Sequence, residues 1–313
     1  MGFTIYQEAL AILPKCTAFL SLIGSIFIIQ DVIRQKTRSV SHRIMLGLSL
    51  FDCVASFVNI LSTWPTPANL SESVFLASGT TLTCTVQGFF NELGNITAPI
   101  YTASLSLRYL LSVAYEWKER DFKKYELVFH AVPIIIGSTM AILGLPLQLY
   151  NNAGYLCWYA PAPKNCSEFG TCSRGELMGL FRWLHYGIVW SAIAFVTISM
   201  ILLYMSVRKQ ERSSQLLGSD QNRMSRSVAA QAFLYVFALY ITWLFTTITR
   251  VYSTVFKRTN KTTLMLMATF FPLQGFWNAF IYYRPRWIQK RNERIRYREF
   301  VRNDNINIIG YQS

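Results

Sequence analysis

The sequence predicts an all-α membrane protein: a bundle of seven transmembrane helices followed by a short amphipathic juxtamembrane helix. Three observations carry this. Only 15% of the 313 residues are charged and 52% are hydrophobic, whereas a soluble domain uses about a quarter charged residues to face water. The apolar residues gather in seven blocks near the roughly 20 residues a helix needs to cross the hydrocarbon of a bilayer. The basic residues between those blocks fall mostly on one side of the membrane.

In chain order the spans are 9–33, 43–64, 82–115, 127–150, 178–207, 227–252 and 263–283. The first has no basic n-region before it and reads as an uncleaved signal anchor. Tyr6 stands where a myristoylation motif takes Ser or Thr, so no N-terminal lipid is expected. The second span carries Asp52 at mid-depth. The third opens on Cys84, carries Glu92 and runs to Arg108; like the fifth, it exceeds the length needed and should tilt or project. The seventh carries Gln274 and Asn278, and Pro285 is expected to end it. Residues 286–301 then set Trp287, Ile288, Ile295, Phe300 and Val301 among six basic residues, the pattern of a helix lying on an anionic leaflet. No repeat, second domain or low-complexity tract interrupts this plan, and membrane lipids are partners by necessity.

A formal charge of +14 invites a nucleic-acid reading, but its distribution argues otherwise. Of the 30 Lys and Arg, 21 lie in the first loop, in loops 116–126 and 208–226, and after residue 283. That asymmetry expects a multi-pass protein of the plasma membrane with its N-terminus outside and its C-terminus cytosolic, and leaves no charge for nucleic acid to explain. The sequons at Asn69, Asn165 and Asn260 fall in expected outer loops, and the one at Asn95 lies within a span, where no glycan can be attached. Cys84, Cys157, Cys166 and Cys172 are also expected outside, where disulfides persist. Four cysteines allow three connectivities; the short 166–172 spacing favours local closure. Cys16 and Cys53 are expected as buried thiols.

Gln274 and Asn278 stand at i and i+4 and share a helix face. In lipid such amides point into the bundle and bond across helices, with Asp52 a partner at similar depth; they are either a rearranging switch or static glue. Gly275 permits close helix approach, and Pro272 loosens the backbone one turn away. Glu92 lies about 12 Å below Cys84 along the third helix, and an intramembrane acid is a functional candidate because burial without a partner is costly. Arg182, His185 and Arg250 could meet it, and with Gln87, Trp158 and Trp243 they outline a ligand cavity; a Glu92–Arg182 bridge between helices is the structural alternative. About 36 Å from Cys84 along the same helix, Arg108 emerges at the opposite face, to contact headgroups or a cytosolic partner.

The strings CTVQGF at the start of the third span, Cys157-Trp158 in the second outer loop and PLQGFWNAFIY in the seventh span carry a resemblance. With the seven spans they resemble G protein-coupled receptors of the cAMP-receptor-like type, which are related to secretin-type receptors. Leu107-Arg108-Tyr109 departs from the Asp-Arg-Tyr of rhodopsin-like receptors, the NPxxY motif is missing, and the short N-terminus lacks a peptide-capturing ectodomain. The resemblance implies a Cys84–Cys157 bridge, a small extracellular ligand, a heterotrimeric G protein as cytosolic partner with Arg108 at the contact, and Asp52, Gln274 and Asn278 as the activation switch. Excess positive charge in the outer loops favours a polar or anionic ligand.

Other classes fit less well. The three histidines, His42, His130 and His185, sit at opposite edges and cannot converge on one metal or base, so neither an enzyme nor a metal site is expected. No cofactor is expected either; a retinal Schiff base needs a lysine within 263–283, and there is none. A transporter or channel for a small solute is the alternative, although it would ordinarily show repeats or paired broken helices.

Overall fold

The computed structural model describes residues 4–70, 73–163, 166, 172–214, 221–256 and 260–310. Its helices are α1 (Ile5–Arg34), α2 (Val40–Leu61), α3 (Thr81–Ala114), α4 (Glu119–Leu143), α5 (Met178–Ser214), α6 (Gln221–Phe256), α7 (Lys261–Phe270) and α8 (Gln274–Gly310). A 3-10 turn, Phe271–Leu273, joins α7 to α8, and together they make the seventh crossing. A hairpin of β1 (Tyr150–Asn152) and β2 (Cys157–Tyr159) lies between α4 and α5. The helices close a ring: α1 packs on α2 and α8, α2 on α3, α3 on α4 and α5, α5 on α6, and α6 on α7 and α8.

Six of the crossings are long and apolar enough to span a membrane. The exception is α3, and its surroundings explain why. Half of its 34 residues are buried, including Gln87, Asn91, Glu92, Asn95, Thr97 and Thr102. Protein surrounds it, so its polar side chains find partners instead of lipid. The chain is an integral multi-pass membrane protein with its polar groups concentrated on the central helix.

Three sequence expectations need correction. Pro285 does not end the last helix: α8 continues through it to Gly310, so the juxtamembrane segment extends the seventh crossing rather than forming a separate helix. A proline costs a helix one hydrogen bond and some crowding, and the chain accepts this also at Pro14, Pro99 and Pro133. A clasp supports the continuation, since Asp31 of α1 accepts from Tyr282 at 2.6 Å and from Arg286 at 2.7 Å. The closing Arg-Pro-Arg therefore ties α8 to α1.

The fourth crossing stops at Leu143, not near 150. Residues 144–149 are mostly apolar and fall within the expected fourth span, but they turn and send Tyr150 back into the bundle. Its ring fills space beside Gly88 and Gly144, where an added Cβ would lie 2.5 Å from the ring. The hydroxyls of Tyr150 and Tyr159 donate to the carbonyls of Ala141 and Met140 at 2.7 and 3.2 Å, satisfying acceptors in the last turn of α4. The third correction is Cys16, which is exposed on α1, whereas Cys53 is half-buried.

Candidate functional site

The bundle has a hairpin end and an Arg108 end. At the hairpin end Cys84, in the first turn of α3, is bridged to Cys157 of β2, and Cys166 is bridged to Cys172. The first bridge draws β2 over the mouth of the bundle. Gln87, one turn below, fixes it there: its amide donates to the carbonyls of Val58 and Ser62 at 3.2 and 2.7 Å and accepts from the Cys157 N–H at 3.0 Å. Its capacity is used in holding α2, α3 and β2 together.

Below this staple lies Glu92, fully buried. Its Oε2 accepts from the indole Nε1–H of Trp158 at 2.6 Å, and its Oε1 lies 2.9 Å from Nδ1 of His185 on α5. Arg182 does not bridge to Glu92. It donates from Nε and Nη2 to the Tyr159 carbonyl at 2.9 and 2.6 Å. The guanidinium of Arg250 sits 5.0 Å from the centre of the Trp158 ring and that of Arg182 5.8 Å, both within cation–π range. Tyr159 stacks on Trp158 with centroids 5.1 Å apart, and His185 meets it edge-on at 4.9 Å. Trp243 lies one layer deeper, 5.8 Å from the His185 ring and edge-on to Phe271. Its indole nitrogen is buried with no hydrogen-bond partner among the described residues. Burial pushes the phenols of Tyr150 and Tyr159 well above the usual range, with the nearby Glu92 carboxylate adding to the push. The seven residues expected to line a cavity are therefore gathered in one region, but they are bonded or packed against one another.

A second polar site lies near mid-bundle. Asn278 donates to Asp52 Oδ2 at 2.7 Å, with both residues buried. Gln274, one turn away, faces the same region, but its Nε2 has no partner among the described residues. The reason lies in the Pro272 turn and Gly275. The Gly275 N–H donates across to Ser21 Oγ of α1 at 2.9 Å, and an added Cβ at Gly275 would meet Ser21 Oγ at 2.7 Å. Beside this seam is a cavity lined by Ser21, Asp52, Asn59, Asn95 and Gln274, with about 10 Å³ in which a water's centre can move. That is room for about one water molecule. Asn59 Oδ1 is likewise unpartnered.

At the other end Arg108 donates from Nη2 to Glu119 Oε2 at 3.2 Å and lies 4.9 Å from the Phe122 ring centre. Its Nε is buried without a hydrogen-bond partner among the described residues. Glu119 also accepts the Val40 N–H at 2.5 Å, so one carboxylate joins Arg108 to the N-terminus of α2. Arg43 and Glu126 add a two-pronged bridge between α2 and α4, one contact being 2.7 Å. Sequence reasoning missed Glu119 and Asp31. The signal was present at Glu119, an acid in the first turn of a helix, where it complements the dipole. Asn69 is exposed on a short 3-10 turn (Ala68–Leu70) at the hairpin end, and Asn260 caps α7 by accepting from the Thr262 and Thr263 N–H groups. Asn165 lies outside the described residues. Asn95 is buried in α3 and bonded to Asn91.

No protein-family model matches the chain, and no curated protein does. Among solved structures it is similar to squid rhodopsin, with a TM-score of 0.67 over 90% of this chain and 78% of that one, at 12% identity. At that identity the likeness is one of fold: the chain has the seven-helix membrane fold that squid rhodopsin has.

Proposed function

We propose that the protein is a cell-surface G protein-coupled receptor that binds a small polar or anionic ligand at the hairpin end and activates a heterotrimeric G protein at the Arg108 end. The observation that carries this reading is the polar track along α3. It starts at buried Glu92, passes Asn95 beside the Asp52 cavity and ends at Arg108, so one helix touches an outer site, a mid-bundle site and a basic inner face. Basic loops support the orientation, with the hairpin end outside and α8 leaving into the cytosol. The CTVQGF, Cys157-Trp158 and PLQGFWN strings favour the cAMP-receptor-like type, and Asn69, Asn165 and Asn260 are the sequons available for glycans.

In this reading Arg182, His185, Arg250 and Trp243 contact the ligand together with Trp158 and Glu92, and Gln87 positions the hairpin above them. Asp52, Asn278 and Gln274 set the balance between inactive and active packings. Arg108 is held by Glu119 at rest and released for the partner. The test is guanine-nucleotide exchange on a heterotrimeric G protein, catalysed by the purified protein in lipid discs. Exchange above the empty-disc rate supports the receptor; solute flux into sealed vesicles with no exchange would replace it by a transporter.

A further inference from the structure

We propose that Trp158 is the resident occupant of the hairpin-end binding site, a ligand tethered by the chain itself, and that the free ligands which take its place are planar aromatics carrying an N–H donor in the ring plane. This deepens the receptor reading and rests on it. The indole is held as a bound molecule would be. Its N–H meets a fully buried carboxylate at 2.6 Å, Tyr159 stacks on the ring, His185 packs on its edge, and the guanidiniums of Arg182 and Arg250 lie within cation–π range of the ring centre. Every one of these contacts recognises a planar ring of high π-electron density or its in-plane donor. None recognises the peptide to which the ring is attached.

The peptide is instead fixed at the residues on either side of the ring. The Cys84–Cys157 bridge and the Gln87 amide hold β2 at the residue before Trp158, and Arg182 holds the Tyr159 carbonyl at the residue after it. The side chain can therefore be replaced without releasing the strand. Without this donor Glu92 keeps His185 on one side and the Tyr159 hydroxyl nearby, so an occupant that brings its own N–H restores the missing bond.

Chemical rescue tests this without any signalling readout. Deleting a large buried ring leaves a cavity of its shape that can take up a small aromatic. The Trp158→Ala protein in lipid discs is melted with indole and with 1-methylindole, which has the same ring but no N–H. At a tenfold excess over its Kd, indole should raise the Trp158→Ala melting temperature by roughly 2 °C. 1-Methylindole should raise it by much less, and at these concentrations neither compound should shift wild type, where the tethered indole outcompetes them. Equal effects of the two compounds on Trp158→Ala, or no effect of either, would overturn the proposal. If Trp158→Ala does not fold, Trp158→Phe keeps a ring and loses the donor. It should leave amide hydrogen-exchange protection across 150–160 near wild type, and a loss of protection there would overturn the proposal equally. Basal nucleotide exchange forms a separate arm: rescue by indole with no exchange from any variant would leave the binding site standing and remove the receptor.

Discussion

Glu92 and Asp52 are both deeply buried carboxylates facing neighbouring helices, yet their surroundings differ in kind. Glu92 has a partner on each oxygen and is packed by aromatic rings on the hairpin and α5. Asp52 has Asn278 on one oxygen, a water-sized cavity beside it and, at Gln274 and Asn59, amide atoms with no partner among the described residues. A saturated site resists rearrangement because any movement breaks bonds before it makes new ones. A site with spare room and spare donors can exchange partners at small cost, as a two-state element requires. The hairpin-end site is a latch, and the mid-bundle site is where the helices can shift.

The comparison can be broken in order of effect. Glu92→Ala should be the most damaging change, because it strips Trp158 and His185 of their shared acceptor. Removing one partner of a buried charge network costs about 3–5 kcal/mol, and a melting temperature near wild type would show that the latch is slack. Replacing both Cys84 and Cys157 by Ser should cost about 2–5 kcal/mol, with hydrogen exchange rising first in the hairpin; a rise confined to the Arg108 end would contradict the staple. Arg108→Ala should change stability by no more than about 1 kcal/mol, since its Glu119 bridge is partly exposed. The same variant should alter G-protein coupling at matched surface expression, and unchanged coupling would reduce Arg108 to a contact with Glu119 and lipid. Gln274→Leu should be the mildest, within about 0.5 kcal/mol either way, because the amide nitrogen it removes has no partner to lose. A clear loss of stability would mean Gln274 is fixed by contacts the cavity does not display.

The crossings and the depth of the key polar groups were legible in the sequence because lipid imposes a length and an apolar surface on each helix. Asn278 could be matched to Asp52 for the same reason: in a bundle, polar groups at similar depth find each other. Partner choice within a layer was less legible. Arg182, His185 and Arg250 all stood as candidates to meet Glu92; His185 reaches the acid, whereas Arg182 lies beside the Tyr159 carbonyl. Nothing in the order of residues specifies that hairpin, because Tyr150 falls at the end of the expected fourth span and only the turn at 144–149 sends it inward. The continuation of α8 was hidden for a similar reason. Pro285 is a local breaker, and the Asp31 clasp that supports the helix through it comes from residues more than 250 positions away.

The central claim is that the Asp52–Asn278 contact sets a balance between two packings. Asn278→Leu tests it most directly, since it removes the donor and keeps an apolar helix surface. Polar contacts of this kind are worth about 0.6–2 kcal/mol, enough to move a two-state balance by up to about thirtyfold. Melting temperature and basal nucleotide exchange should be measured on the same purified variant. A changed basal exchange rate with melting close to wild type is the expected result. Lower melting with basal exchange unchanged would contradict the claim and leave Asp52 and Asn278 as static packing.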